Sequence, residues 1–253
     1  MGDDGPIGRM RQDAALRHWR RAARRAETAP LAALRDGRAR ALPLHRALGQ
    51  FLAVADRRLA ADAAAAPEVA VPGTDWAWRP EAWRAPLASA SGVAPVSGVR
   101  LGDDLALFHD CPLGEIAVTQ DGPWGQAGAP CALAVEVFGF AGSYLSLALD
   151  LPGDAAEGLL RRHVVRAALT LALEEPLAVY ARLNIRHGPN TEQILREVPV
   201  ADAPAVVEFD LAYSALNEKR VERLWLDLIF ERPAMNRIAL GDVVLSRHPR
   251  AAL

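Results

Sequence analysis

From residue 96 onward, apolar and polar residues alternate in steps of two along most of the chain. Over 221–230, Leu224, Leu226, Leu228 and Phe230 fall on one side and Arg223, Trp225 and Asp227 on the other. Successive strand side chains point to opposite faces, so this is the pattern of a β-strand with one buried face. Other apolar rows have the same parity: Cys131, Leu133, Val135 and Val137; Leu145, Leu147 and Leu149; Val165, Ala167, Leu169, Leu171 and Leu173; Val179, Ala181, Leu183 and Ile185; Val207, Phe209 and Leu211. Strands are predicted over 99–101, 105–109, 115–119, 131–138, 143–150, 163–173, 177–187, 192–198, 206–213, 221–230 and 237–247, with Gly, Pro and Asp between them. One short helical turn is expected within 154–160. The fold class is therefore mainly β with an α-helical N-terminal segment: an antiparallel β-sandwich of jelly-roll type. In the last strand Ile238 and Leu240 share one parity, Val243 and Leu245 the other. A change of phase at Gly241 and Asp242 predicts a β-bulge there.

The period changes upstream. Residues 9–29 are mostly helix formers, with Leu16, Trp19 and Ala23 on one side and arginines over the rest. After Pro30 a second helix is expected, interrupted at Gly37 and Pro43. A third run, Leu44, Leu48, Phe51, Ala55 and Leu59, again follows helical spacing. Between 67 and 95 five prolines rule out a continued helix, and Trp76, Trp78 and Trp83 cluster there. This gives three segments: a basic helical arm at 1–66, a Pro/Trp-rich linker at 67–95 pinned to a surface by its aromatics, and the β-sandwich at 96–253.

Charge adds an asymmetry. The whole chain carries a formal net charge of -2, but residues 1–66 hold +6 and the rest -8. A basic arm on an acidic body suits docking onto an acidic surface. With 51% apolar and 24% charged residues the chain is expected to be an ordinary globular protein. No apolar run is long enough to span a membrane, and none follows Met1 as a secretory leader would, so a cytoplasmic site of synthesis is expected. Cys111 and Cys131 form no CxxC pair and read as buried thiols. No specific nucleic-acid motif is found.

The polar parity of the strands holds the candidate ligand or partner face: Tyr144, Tyr180, Arg182, Asn184, Arg186, Glu208, Asp210, Arg223, Trp225 and Asp227. Rings set among planar hydrogen-bonding groups suit carbohydrate, whose apolar ring face stacks while its hydroxyls bond to Arg, Asn and carboxylates. Whether these residues meet depends on strand order. A charge-paired sheet face and a protein interface are the alternatives. Catalysis finds less support. Phosphate loops, GxSxG and HExxH are absent, and the consecutive His109, Asp110 and Cys111 alternate faces instead of forming a nucleophile–base pair. A carbohydrate-active enzyme would need a carboxylate couple such as Glu208 and Asp227.

The blocks TDWAWRP, LFHDCPL, FGFAGSYLSLALDLP, RLNIRHGPNTEQ and FDLAYSALNEKRVERLWLDLIFERPAMNRIALGDVVLSRHPRA resemble a bacterial family of unknown function over 44–253. The resemblance brings no assigned active site. The segment IALGDVVLS resembles the closing strand of jelly-roll carbohydrate-binding modules, which implies that Asp242 helps hold a structural calcium. Helices preceding a jelly roll also resemble the head-spike base of gene transfer agents. That likeness implies a non-enzymatic, ring-forming homo-oligomer in a phage-like particle, attached to protein partners and to a glycan-binding fibre; a soluble carbohydrate-binding module is the alternative.

Overall fold

The computed structural model describes residues 6–63, 71–87, 96–122, 128–201 and 204–250. The chain divides into two compact units, Met1–Ala55 and Asp56–Leu253. The first contains helix α1 (Pro6–Ala26) and most of α2 (Leu31–Ala63). Helix α2 runs through Gly37 and Pro43 without a break, against the expected interruption. A proline inside a helix removes one N–H bond and crowds the preceding turn, at about 3 kcal/mol. The Ala, Leu and Arg residues on either side are strong helix formers and carry the helix across it. The side chains of Leu44, Leu48 and Phe51 are exposed.

The second unit is a sandwich of two antiparallel sheets, as the alternation predicts. Its elements are β1 (Trp76–Trp78), α3 (Glu81–Arg84), β2 (Val99–Arg100), β3 (Leu105–His109), β4 (Ile116–Asp121), β5 (Ala132–Val137) and β6 (Tyr144–Asp150). The longer strands follow: β7 (His163–Leu173), β8 (Val179–His187), β9 (Asn190–Glu197), β10 (Ala205–Asp210), β11 (Val221–Glu231) and β12 (Asn236–Pro249). The first sheet has the order β10-β7-β12-β5-β4, with β1 also paired to β12; the second has the order β2-β3-β6-β11-β8-β9. The apolar rows close on each other between the sheets. Leu145, Leu147, Leu149, Ala181, Leu183, Ile185, Leu226, Phe209 and Phe230 are fully buried. A large side chain buried in this way contributes about 1.5–3 kcal/mol.

Two features tie down the edges. The register of β12 against β7 shifts between Leu240 and Asp242, so Gly241 is the extra residue of the expected bulge. Ile238, Leu240, Val243 and Leu245 all stay buried on its two sides. Beyond the bulge β1 takes over the edge of β12 that β5 occupies before it. Within the 67–95 segment expected to be a linker, residues 76–84 thus join the sandwich, and residues 67–70 and 88–95 lie outside the described residues. Trp83 is completely buried and donates its indole N–H to the Leu240 carbonyl at 2.9 Å. Trp76 donates to Asp154 Oδ1 at 3.0 Å.

The LFHDCP motif does structural work. Asp110 accepts from the Ser143 hydroxyl at 2.6 Å and from the backbone N–H groups of Ser143 and Tyr144. Those bonds, the Ser143 hydroxyl foremost, hold its carboxyl down to about 2. The clamp fixes the turn that delivers Tyr144 to the start of β6.

Candidate ligand-binding face

The second sheet presents its outer face as a graded surface, because register decides which side chains stand beside each other. In one cross-strand row Gln193, Asn184, Trp225 and Asp150 are consecutive partners. The next row runs Leu195, Arg182, Asp227, Ala148, Ala106 and Arg100. A third holds Glu197, Tyr180, Ile229, Ser146 and Phe108. Ala106, Ala148 and Ser146 are small, so the sheet is low between taller neighbours. A groove of about 560 Å³ results. Trp225, Arg223, Asp150 and Arg100 line it together with Phe108, Tyr144, Ile229, Arg182 and Asp227.

Ion pairs and hydrogen bonds fix the polar lining. Arg182 donates to Asp227 Oδ2 through Nε at 3.0 Å and Nη2 at 2.8 Å, and Asn184 Nδ2 donates to the same oxygen at 2.9 Å. Asn184 is fully buried, and its Oδ1 accepts from Gln193 at 2.9 Å. Among the described residues, all three side-chain bonds to Asp227 fall on Oδ2, and Asp227 itself lines the groove. Arg223 pairs with Asp150 Oδ1 and lies 5.4 Å from the centre of the Trp225 ring. Arg100 reaches the other Asp150 oxygen at 3.5 Å. The Trp225 ring is thus held in place by a guanidinium on its face, a contact worth about 0.5–1 kcal/mol at an exposed site.

Of the ten residues predicted for this face, Tyr144, Arg182, Arg223, Trp225 and Asp227 line the groove. Tyr180, Asn184 and Arg186 stand on the same sheet; Asn184 orients Asp227, and Arg186 pairs with Glu222 at 3.2 Å. Glu208 and Asp210 are corrected. They sit on β10 in the first sheet, where Glu208 faces Arg166 at 4.0 Å. Asp210 caps the turn Leu211–Tyr213 and pairs with Arg250 at 3.4 Å. Glu208 and Asp227 therefore do not form the carboxylate couple considered for a glycosidase. The sequence reading missed Phe108, Asp150 and Arg100. Phe108 was legible as the one large apolar residue out of phase with Leu105 and Leu107, and Asp150 as the continuation of the Tyr144–Ser146 parity.

Two other polar clusters serve the fold. Both oxygens of Asp242 accept from Arg79, each at 2.9 Å. The negative charge that the calcium expectation relied on is thus already met by a guanidinium, and among the described residues no group of three or more His, Cys, Asp or Glu is placed to hold a metal. Arg247, itself buried, pairs with Asp75 at 2.9 Å and donates to the carbonyls of Ala155 and Glu157. Buried His163 accepts from the Leu160 N–H at 3.1 Å and faces Asp75 at 3.8 Å. Burial pushes this imidazole below the ordinary histidine range.

No helix among the described residues is long and apolar enough to cross a membrane. No curated protein matches the chain. A family model described as a family of unknown function, DUF6478, matches residues 2–253. Among solved structures, the chain is similar to the family 11 carbohydrate-binding module from Clostridium thermocellum in complex with a β-1,3-1,4-mixed-linked tetrasaccharide. The identity is 10% over 59% of this chain and 92% of that one, with a TM-score of 0.36. It is similar to TmCBM61 in complex with β-1,4-galactotriose at 16% identity, over 56% of this chain and 88% of that one, with a TM-score of 0.31. The enzymatically active domain of tailspike protein 4 from bacteriophage CBA120 matches at 9% identity over 60% of this chain, with a TM-score of 0.39. The chain spans only 22% of that tailspike. At these identities and scores no function is transferred from them, and the head-spike resemblance gains no support.

Proposed function

We propose that this chain, which belongs to the DUF6478 family, is a carbohydrate-binding protein whose ligand lies in the groove on the outer face of the second sheet. The observation that carries the reading is the juxtaposition of a half-buried Trp225 with Asp227 over a floor of Ala and Ser, in one groove with exposed Phe108 and Tyr144. A sheet face that only meets water has no reason to lower its floor between aromatic walls. Saccharides are recognised through both kinds of surface: ring faces stack on aromatics while hydroxyls donate to carboxylates and accept from guanidinium and amide groups. Arg182, Asn184 and Gln193 hold Asp227 in one orientation, so little side-chain freedom is lost when a ligand arrives. A protein interface on this face is the competing reading, because aromatic and Arg residues also dominate interfaces.

The groove crosses the strands from β8 to β2, four inter-strand spacings or about 19 Å. That length suits an oligosaccharide better than a single sugar. Isothermal titration of the full chain with oligosaccharides of xylan, β-glucan, galactan and polyuronate type is expected to give saturable binding for at least one of them. Flat titrations throughout that panel would contradict the reading.

A further inference from the structure

Granted that reading, we infer that the glycan is acidic, with the carboxylate of a uronic acid residue meeting the exposed guanidinium groups of Arg100 and Arg223 beside Asp150. Three guanidinium groups, from Arg100, Arg182 and Arg223, line the groove against two carboxylates, from Asp150 and Asp227. Arg182 and Asp227 neutralise each other. At the other end one carboxylate is divided between two cations: Asp150 pairs with Arg223 through Oδ1 and with Arg100 through Oδ2. One positive charge at that end is left uncompensated. The side chains of Arg100 and Arg223 are 54% and 55% exposed, so neither guanidinium must be stripped out of a buried pair to meet a ligand.

The chemistry of the side chain narrows the choice. Guanidinium only donates, and its planar fork fits a carboxylate through two parallel bonds. A neutral sugar offers hydroxyls that serve a carboxylate and an amide equally well, and it gives no reason to gather three arginines on one groove. The excess also runs against the rest of the unit, since residues 67–253 carry a net charge of -8. A cationic groove on an acidic body attracts an anionic chain to the groove in preference to other surfaces. Trp225 stands beside the Arg100–Arg223 end, where the part of its ring that Arg223 leaves open meets the sugar that bears the carboxylate.

The test compares an oligogalacturonate with the same oligosaccharide after reduction of its carboxyl groups. Linkage and length are then constant and only the charge differs. Wild-type protein is expected to bind the acidic form at least 10-fold tighter than the reduced form, with the advantage shrinking as salt is raised. Arg100→Gln and Arg223→Gln are each expected to lower that ratio severalfold, with circular dichroism unchanged. Equal affinity for the two forms would overturn the inference and leave the carbohydrate reading standing. A ratio unaffected by both variants would overturn the assignment to this end of the groove. Failure of both forms, and of every neutral oligosaccharide, counts against the carbohydrate reading itself.

Discussion

Replacing Trp225 by alanine should weaken oligosaccharide binding about 30-fold while moving the melting temperature by only a few degrees. An aromatic at the centre of a binding surface commonly contributes 2 kcal/mol or more, and 2 kcal/mol corresponds to about 30-fold in affinity. The side chain is half-buried and belongs to the outer face, so its removal opens no cavity in the core. What the fold loses is the contact with the Arg223 guanidinium at 5.4 Å, about 0.5–1 kcal/mol. In a unit of this size that shifts the melting temperature by about 2–4 °C per kcal/mol. Trp225→Phe keeps a ring in the same place and should recover part of the affinity. Titration calorimetry and thermal unfolding on the same preparations separate the two effects. If Trp225→Ala bound as tightly as wild type, the stacking surface would lie elsewhere.

The second large effect belongs to the opposite face of the same strand. Phe230 is fully buried and stands between Leu145 of β6 and Val179 of β8. Phe230→Ala removes a ring that the core cannot fully close over, at a cost of about 3–5 kcal/mol. Domains of ordinary stability have about 5–15 kcal/mol in total. The melting temperature is therefore expected to fall by about 6–20 °C. Met235→Ala, at a side chain 71% exposed, should change stability by less than about 0.5 kcal/mol. Urea unfolding followed by fluorescence checks both. A Phe230→Ala protein as stable as wild type would mean that the inward row of β11 is not the core of the sandwich.

These two side chains show what the sequence carried. Trp225 and Phe230 lie five residues apart, hence on opposite sides of one strand, and the parity rule alone placed one outside and the other inside. The same rule located the phase change at Gly241, because a bulge advances the chain by one residue and exchanges its faces. Parity says nothing about neighbours across strands. Glu208 and Arg223 look alike on that test, yet β10 and β11 enter different sheets. The second sheet is assembled from β2, β3, β6, β11, β8 and β9, contacts far apart in the chain that no local pattern encodes. Parity places Phe108 and Asp150 on the outer face, but only the pairings with β6 and β11 bring them into one groove with Trp225 and Tyr144. Short elements were hidden for another reason. The strand Trp76–Trp78 has three residues, too few for an alternation, and its pairing with β12 is a tertiary contact. At Pro43 local propensity favours a stop, whereas the long flanking helix outweighs it.

Ligand is expected to bind on the outer face of the second sheet. Chemical-shift mapping of isotopically labelled protein during titration with a binding oligosaccharide tests it directly. The largest perturbations are expected at the Trp225 indole N–H, the Asn184 side-chain amide and the backbone of Ser146, Ala148 and Ile229, with Ala168 and Ala239 of the first sheet unmoved. Perturbations centred on the first sheet or on the helices of Met1–Ala55 would contradict it.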